Sequence, residues 1–303
     1  MAKIILFCLW LFIVRPVISL GQIDEINIGK EVDEILTHYY DGRIQEAKGL
    51  AQELKNDHPR EPFFRELLAE ILWKELEKSA SRGQAPNKRI SYSGQENQGL
   101  AKQFYNEINT GLSLTQEVLV LRPNDSKNLF LRGMLLARTG GFIAKFENGV
   151  GSYVEADGKT AEGLELLKKS MALDPELCSA KTFLALTMHN LILAANESIL
   201  NNLTIRLKSY AFDAVGHKYD QGQVFKWLDE SMVCNPDYYW TKDVMWDKKF
   251  IYQDILVRQA GRMDDKALPV LEELSSRFPD NRAVKDNLFL VRLHIQNRPG
   301  PRK

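Results

Sequence analysis

The chain has 303 residues, 44% hydrophobic and 26% charged, the balance of an ordinary globular protein with enough apolar content for a sizeable core. Lys plus Arg equals Asp plus Glu at 40 each, so no basic excess points toward nucleic acid or anionic lipid. Gly and Pro are too sparse for a collagen-like or low-complexity chain, and three cysteines are too few for a disulfide-stapled scaffold or a zinc cluster.

Lys3 precedes an apolar run from Ile4 to Val14 that stops at Arg15-Pro16, and Ser19-Leu20-Gly21 supplies small residues. A charged start, a short apolar core and a small-residue exit predict a secretory signal peptide over 1–21, cleaved near Gly21. The run is shorter than the ~20 residues a spanning helix needs. The alternative is an uncleaved N-terminal anchor. Cys8 lies inside the run, so it is not placed as the lipid-bearing first residue of a lipoprotein. Removing 1–21 takes away Lys3 and Arg15, leaving 38 basic against 40 acidic side chains and a formal charge of −2.

Beyond residue 22, helical periodicity predicts helices near 24–40, 43–57, 61–82, 98–121, 125–139, 160–173, 177–200, 221–234, 247–260, 264–277 and 281–296. No strand pattern competes. Five of these runs end at a proline: Pro59, Pro123, Pro175, Pro236 and Pro279. Twelve residues before them stand Ala47, Gly111, Gly163, Val224 and Ala267, four of five being small. Ala69, Gly133 and Ala185 follow three of the prolines by ten residues. Small residues at such spacing let two helices approach closely. Gly42, Gly158 and Gly261 stand where a turn between paired helices is expected. Residues 83–97 read as a polar loop and 298–303 as a disordered tail.

These residues resemble the tetratricopeptide repeat (TPR): Gly42-Arg43-Ile44-Gln45-Glu46-Ala47 through Pro59, and Thr160-Ala161-Glu162-Gly163-Leu164 through Pro175, look like its second helix. The proline intervals of 64, 52, 61 and 43 exceed the family's period of about 34. The units therefore carry insertions or lengthened helices, and Gly140-Gly141-Phe142 to Asp157 reads as a segment inserted between a first and a second helix. The layout resembles a group of exported bacterial TPR proteins with no assigned activity. The resemblance implies an all-α fold, a right-handed α-solenoid of degenerate TPR-like hairpins over 22–297. It also implies a concave groove lined by first helices, which suggests Phe63, Glu66, Glu70 and Trp73, then Lys127, Phe130, Met134 and Arg138, then Thr182, His189 and Asn190.

Motifs that would carry chemistry are absent or incomplete. Gly158-Lys159-Thr160 lacks the glycine of a phosphate loop, Tyr153 standing in its place. The five histidines show no metal spacing, and there is neither H-E-x-x-H nor C-x-x-C. His217 between Asp213 and Asp220 could touch one ion, but such flanking carboxylates are common on surfaces. Gly149-Val150-Gly151-Ser152 is not G-x-S-x-G. Glu66 and Glu70 form an i,i+4 carboxylate pair of the kind usually found on a solvated helix face. Cys178 and Cys234 flank two proline turns and could bond if those turns share an edge, buried thiols being the alternative. Residues 219–252 are aromatic-rich, which suits either a core or a binding surface. Asn124, Asn196 and Asn202 head glycosylation sequons that matter only in a eukaryotic secretory pathway.

The expectation is an exported, periplasmic or envelope-associated, non-catalytic scaffold. It would need no cofactor or metal and would bind an unidentified protein or peptide, with peripheral attachment to an envelope complex. The alternative is an extracytoplasmic small-molecule-binding subunit serving a transporter, with Trp227, Trp240 and Trp246 around a pocket. An enzyme with an unfamiliar site is the third class.

Overall fold

A computed structural model describes residues 25, 27–80, 95–147, 150–199, 226, 228–230, 238–258 and 264–297. The expected signal peptide, residues 83–94 of the expected polar loop, the tail, His217, Trp227 and Cys234 lie outside the described residues; residues 95–97 of that loop are helical instead.

The described residues are all-helical, with no strand among them. Helix α1 spans 27–40. There follow α2 (Ile44–Asp57), α3 (Pro62–Ala80), α4 (Gln95–Leu121), α5 (Ser126–Phe146), α6 (Val150–Leu173) and α7 (Cys178–Ile199). A 3-10 turn at Tyr239–Thr241 leads into α8 (Lys242–Arg258), followed by α9 (Asp264–Arg277) and α10 (Arg282–Gln296). Helices α2, α4, α6 and α9 end within two residues of Pro59, Pro123, Pro175 and Pro279, as the sequence predicts. The next helix is then started by a side-chain cap at two of these joints. Asp125 accepts from the Asn128 amide at 3.0 Å and Asn281 from the Val284 amide at 3.1 Å, each cap contributing ~1 kcal/mol. Gly42 has φ +81°, so it is the turn glycine between α1 and α2, where a side chain would be strained.

Gly158 is not a turn glycine, and the segment 140–157 is not an inserted loop. Helix α5 continues through Gly140 and Gly141 to Phe146, and α6 begins at Val150 and passes through Gly158. The reason is contact between the two helices. A Cβ on Gly133 would lie 2.9 Å from the Gly163 carbonyl oxygen, one on Gly163 2.7 Å from that of Gly133, and one on Gly140 2.2 Å from Thr160 Oγ1. Glycine at these three sites lets the backbones of α5 and α6 touch along both helices. Gly141 in turn makes room for the Trp73 indole, which a Cβ would meet at 2.9 Å.

From α2 onward consecutive helices pack on one another, and α8 packs against α7 as well as α9. Helices joined by three- or four-residue turns must run antiparallel. Phe63, Phe64, Phe104, Phe130, Phe142 and Phe278 are buried in one continuous core that draws on every helix from α1 to α10. The first described helix also meets the later ones. The Asn281 side-chain amide donates to the Tyr40 carbonyl at 2.7 Å, and the Tyr40 ring stacks on Phe250 with centroids 4.5 Å apart. Lys242 donates to the Gly29 carbonyl at 2.8 Å.

The contact at Gly140 and the open surroundings of Gly158 predict opposite outcomes for one substitution. Gly140→Ala should cost about 1–3 kcal/mol by overpacking. Gly158→Ala should stabilise by about 0.5–1 kcal/mol through reduced backbone freedom, since nothing lies within 4 Å of its Cβ direction. Urea denaturation of both variants checks this; equal effects of the two would contradict the α5–α6 contact.

Candidate functional site

The most unusual chemistry lies between α1, α3, α5 and α8. Glu66 and Glu70 stand one turn apart on α3, and Asp243 and Asp247 one turn apart on α8, so each pair shares a helix face. Arg138 of α5 lies between the pairs. Its Nε donates to Glu66 Oε1, its guanidinium is paired with Glu70, and one terminal nitrogen lies 3.2 Å from Asp243 Oδ2. Two tyrosines of α1 close the group: the Tyr39 hydroxyl donates to Glu70 Oε1 at 2.8 Å, and the Tyr40 hydroxyl to Asp247 Oδ1 at 2.6 Å. Glu66 is 0% exposed and Asp243 1%. One oxygen of each, Glu66 Oε2 and Asp243 Oδ1, is buried without a hydrogen-bond partner.

Four carboxylates therefore face one guanidinium in a site shielded from water, and the protonation of Glu66, Asp243 and Asp247 responds. Burial pushes Glu66 well up, against the pull of Arg138. Burial raises Asp243 to about 6 and Asp247 to about 8, the second also driven up by the Glu70 charge. Tyr39 and Tyr40 are raised by burial and by the adjacent carboxylates, and the surrounding carboxylates hold Arg138 firmly protonated despite its burial. One oxygen each of Glu66, Glu70 and Asp243 lies within 4.8 Å of the others, a spacing that would hold a metal ion. The Arg138 guanidinium already fills the cationic position among them.

A second polar group lies one end further along the same face. Lys127 Nζ is 3.0 Å from Glu61 Oε2 and donates to the Tyr239 hydroxyl at 3.3 Å, while that hydroxyl donates to Glu61 at 3.0 Å. The Lys127 ammonium also sits 5.3 Å and 5.5 Å from the Tyr239 and Trp240 ring centroids, near enough for cation–π attraction. Trp240 is buried against Phe130, and Trp246 packs edge-on to Phe278.

Of the residues suggested for a concave groove, four enter these two networks, in which this chain's own segment 239–247 also takes part. Glu66, Glu70 and Arg138 are joined in one network, and Lys127 in the adjacent one. Phe63, Phe130 and Met134 are core side chains at 0% exposure. Trp73 is half-buried against Phe104 and Phe142 and donates to Glu77 at 2.6 Å. Thr182 donates back to the Cys178 carbonyl at 3.0 Å. The side chains of His189 and Asn190 lie outside the described ones. The i,i+4 pair Glu66 and Glu70 is buried rather than solvated, with Arg138 of α5, Tyr39 of α1 and Asp243 at the start of α8 gathered against it. Cys178 is disulfide-bonded, while the partner suggested from the sequence, Cys234, is outside the described residues.

Sequence reasoning did not single out Tyr39, Tyr40, Asp243 or Asp247. The one available signal was the second i,i+4 carboxylate pair, at 243 and 247, inside the aromatic-rich stretch. Beside these residues, between α1, α3 and α8, is a cavity of about 550 Å³. Tyr39, Tyr40, Asp247 and Phe250 contribute to its wall, with Lys74, Glu77 and Lys78 of α3 also lining it. No family model matches the chain, and no curated protein is significantly similar to it.

In the unfolded chain these carboxyls ionise near pH 4, so between about pH 4 and about 8 the folded state holds more protons, and stability from this cluster falls as pH rises. The Tm should be lower at pH 8 than at about pH 5.5. Asp247→Asn should flatten that difference and raise the Tm at pH 8. Thermal melts followed by circular dichroism check both; a Tm that climbs with pH would refute the excess of buried carboxylate.

Proposed function

We propose that this chain is an exported, non-catalytic protein-binding scaffold, built as a right-handed solenoid of degenerate TPR-like hairpins. The proline-ended helices, the small residues at helix crossings and the antiparallel neighbours support the architecture. The apolar stretch before Arg15 supports export, and cleavage near Gly21 would leave Gln22 as the first residue of a protein recovered outside the cytoplasm.

The observation that carries the binding reading is the outer face of α10. Val284, Leu288 and Val291 are buried on its inner side, whereas Phe289, Leu290 and Leu293 on the outer side are 65%, 42% and 40% exposed. Each hairpin of a repeat array covers the apolar face of its neighbour, and a terminal helix is ordinarily polar outside. Here the last described helix presents the apolar side on which a further helix would stack. A helical segment of a partner protein fits that face. The interior face, filled by residues 239–247, is closed to such a partner unless α8 is displaced.

Affinity enrichment from an envelope fraction, comparing the wild type with Phe289→Ser/Leu293→Ser, tests this. A partner enriched by the wild type should fall about tenfold or more in the variant, as for a central apolar anchor, while the thermal melt stays unchanged. Equal recovery by both proteins would refute this interface, and a protein retained in the cytoplasm would refute the export half of the proposal.

A further inference from the structure

The buried network has more carboxyl groups than cations, and the imbalance is one-sided in space. Glu66, Glu70 and Asp243 gather around Arg138 and are covered by protein. Asp247 is the member that reaches the cavity wall. Among the described residues it has no ion-pair partner, and its recorded hydrogen bond is from the Tyr40 hydroxyl at 2.6 Å. Tyr39 and Tyr40 form the partition, with hydroxyls bonded to Glu70 and Asp247 and both residues lining the cavity. Behind the partition, Glu66 Oε2 and Asp243 Oδ1 remain buried without hydrogen-bond partners. A cation placed at Asp247 would therefore relieve the whole cluster, since charges in a poorly solvated site interact strongly over several ångströms.

The lining decides which cation. A divalent metal asks for several hard oxygens converging on one point. The cavity offers two carboxylates, Asp247 and Glu77, and an aromatic wall of Tyr39, Tyr40 and Phe250. Glu77 is already paired with Lys74 and Lys145 and accepts from Trp73, which leaves Asp247 as the carboxylate without a cation among the described residues. The converging oxygens are those of Glu66, Glu70 and Asp243, already held by Arg138. A carboxylate beside aromatic rings matches an ammonium group attached to a carbon skeleton, and about 550 Å³ is the size of a small-molecule pocket. Lys74 and Lys78 on the lining disfavour a second positive charge on the ligand.

We infer that the cavity between α1, α3 and α8 binds a small organic monoammonium compound, its nitrogen received by the Asp247 carboxylate and its carbon skeleton by the aromatic wall. This goes beyond the scaffold reading and stands without it, since the α10 face and this cavity share no residue. Binding should carry a proton signature, because the Asp247 carboxyl is raised to about 8 in the free protein. At pH 7 the arriving ammonium replaces its proton, which passes to the buffer.

The test is calorimetric titration of the full chain at pH 7 with n-butylammonium, 1-butanol and calcium ions. Saturable binding of the amine at one site, none by the alcohol, and release of a proton seen by comparing phosphate with Tris buffer are expected. Asp247→Asn should weaken amine binding about tenfold or more, the loss of one charged partner in a shielded site. The proton release needs no variant and stands even if Asp247→Asn were misfolded. Equal binding of the alcohol, unchanged affinity in a folded Asp247→Asn protein, saturation by calcium without the amine, or amine binding with no proton released would each overturn the inference. Loss of partner enrichment in the Phe289→Ser/Leu293→Ser protein with amine binding intact would separate the two proposals.

Discussion

Arg138 is the side chain on which the interior of this protein turns. Moving a guanidinium and its partners out of water costs several kcal/mol per ion unless geometry and hydrogen bonds offset it. Arg138 meets that condition by contacting carboxylates from two other helices, Glu66 and Glu70 of α3 and Asp243 of α8. The tyrosines of α1 are bonded to the same carboxylate set. Four helices distant in sequence are thereby held in one register by directional contacts, which apolar packing alone does not provide. The same network keeps segment 239–247 on the interior face of α3 and α5, where an open repeat array would leave a groove.

That arrangement depends on the packing of α5 on its other side. Arg138 lies five residues from Gly133, and at ~100° per residue the two point about 140° apart around the helix. Gly133 and Gly140, a further seven residues on, face α6, while Arg138 faces α3 and α8. The backbone contact through Gly133, Gly140 and Gly163 fixes the depth and rotation of α5. A change there would move the guanidinium relative to its carboxylates, so the glycine contact and the ion network are mechanically one unit. This also explains Gly133, Gly140 and Gly163 inside α5 and α6: the lost propensity, ~1 kcal/mol each, is offset by a contact that only glycine permits.

Much of the architecture is legible in the sequence because proline and small residues act locally. Pro59, Pro123, Pro175 and Pro279 each follow the end of a helix by two residues, although Pro269 lies inside α9. Gly133 and Gly163 mark a close helix crossing, and Ala47, Ala69 and Ala267 are fully buried. Gly158 shows the limit of such reading. A glycine is equally compatible with a turn and a helix interior, and its surroundings decide. The burial of Glu66 and Glu70 was not legible for a different reason. Their spacing places them on one face, but whether that face meets water depends on α8, more than 170 residues later. Glu66, Glu70 and Arg138, suggested by family resemblance, share one network; what no local pattern conveys is that Asp243 and Asp247 would join them, and Tyr239 and Trp240 would meet Lys127.

Two buried ion networks in this protein differ in one respect that matters for function. Between α2, α3 and α4, Glu107 accepts from Lys55 at 2.9 Å and from Arg65 at 2.8 Å. Two cations there serve one carboxylate, whose two oxygens are both bonded. In the Arg138 network the ratio is reversed, with four carboxylates to one cation. A network built only to fix helix register needs no such surplus, since each added buried carboxylate must hold a proton or lower stability. The surplus lies beside the cavity of about 550 Å³, and the Glu107 network does not contribute to its lining. Unbalanced charge next to accessible volume is the arrangement expected where a protein leaves the last counter-ion to come from outside.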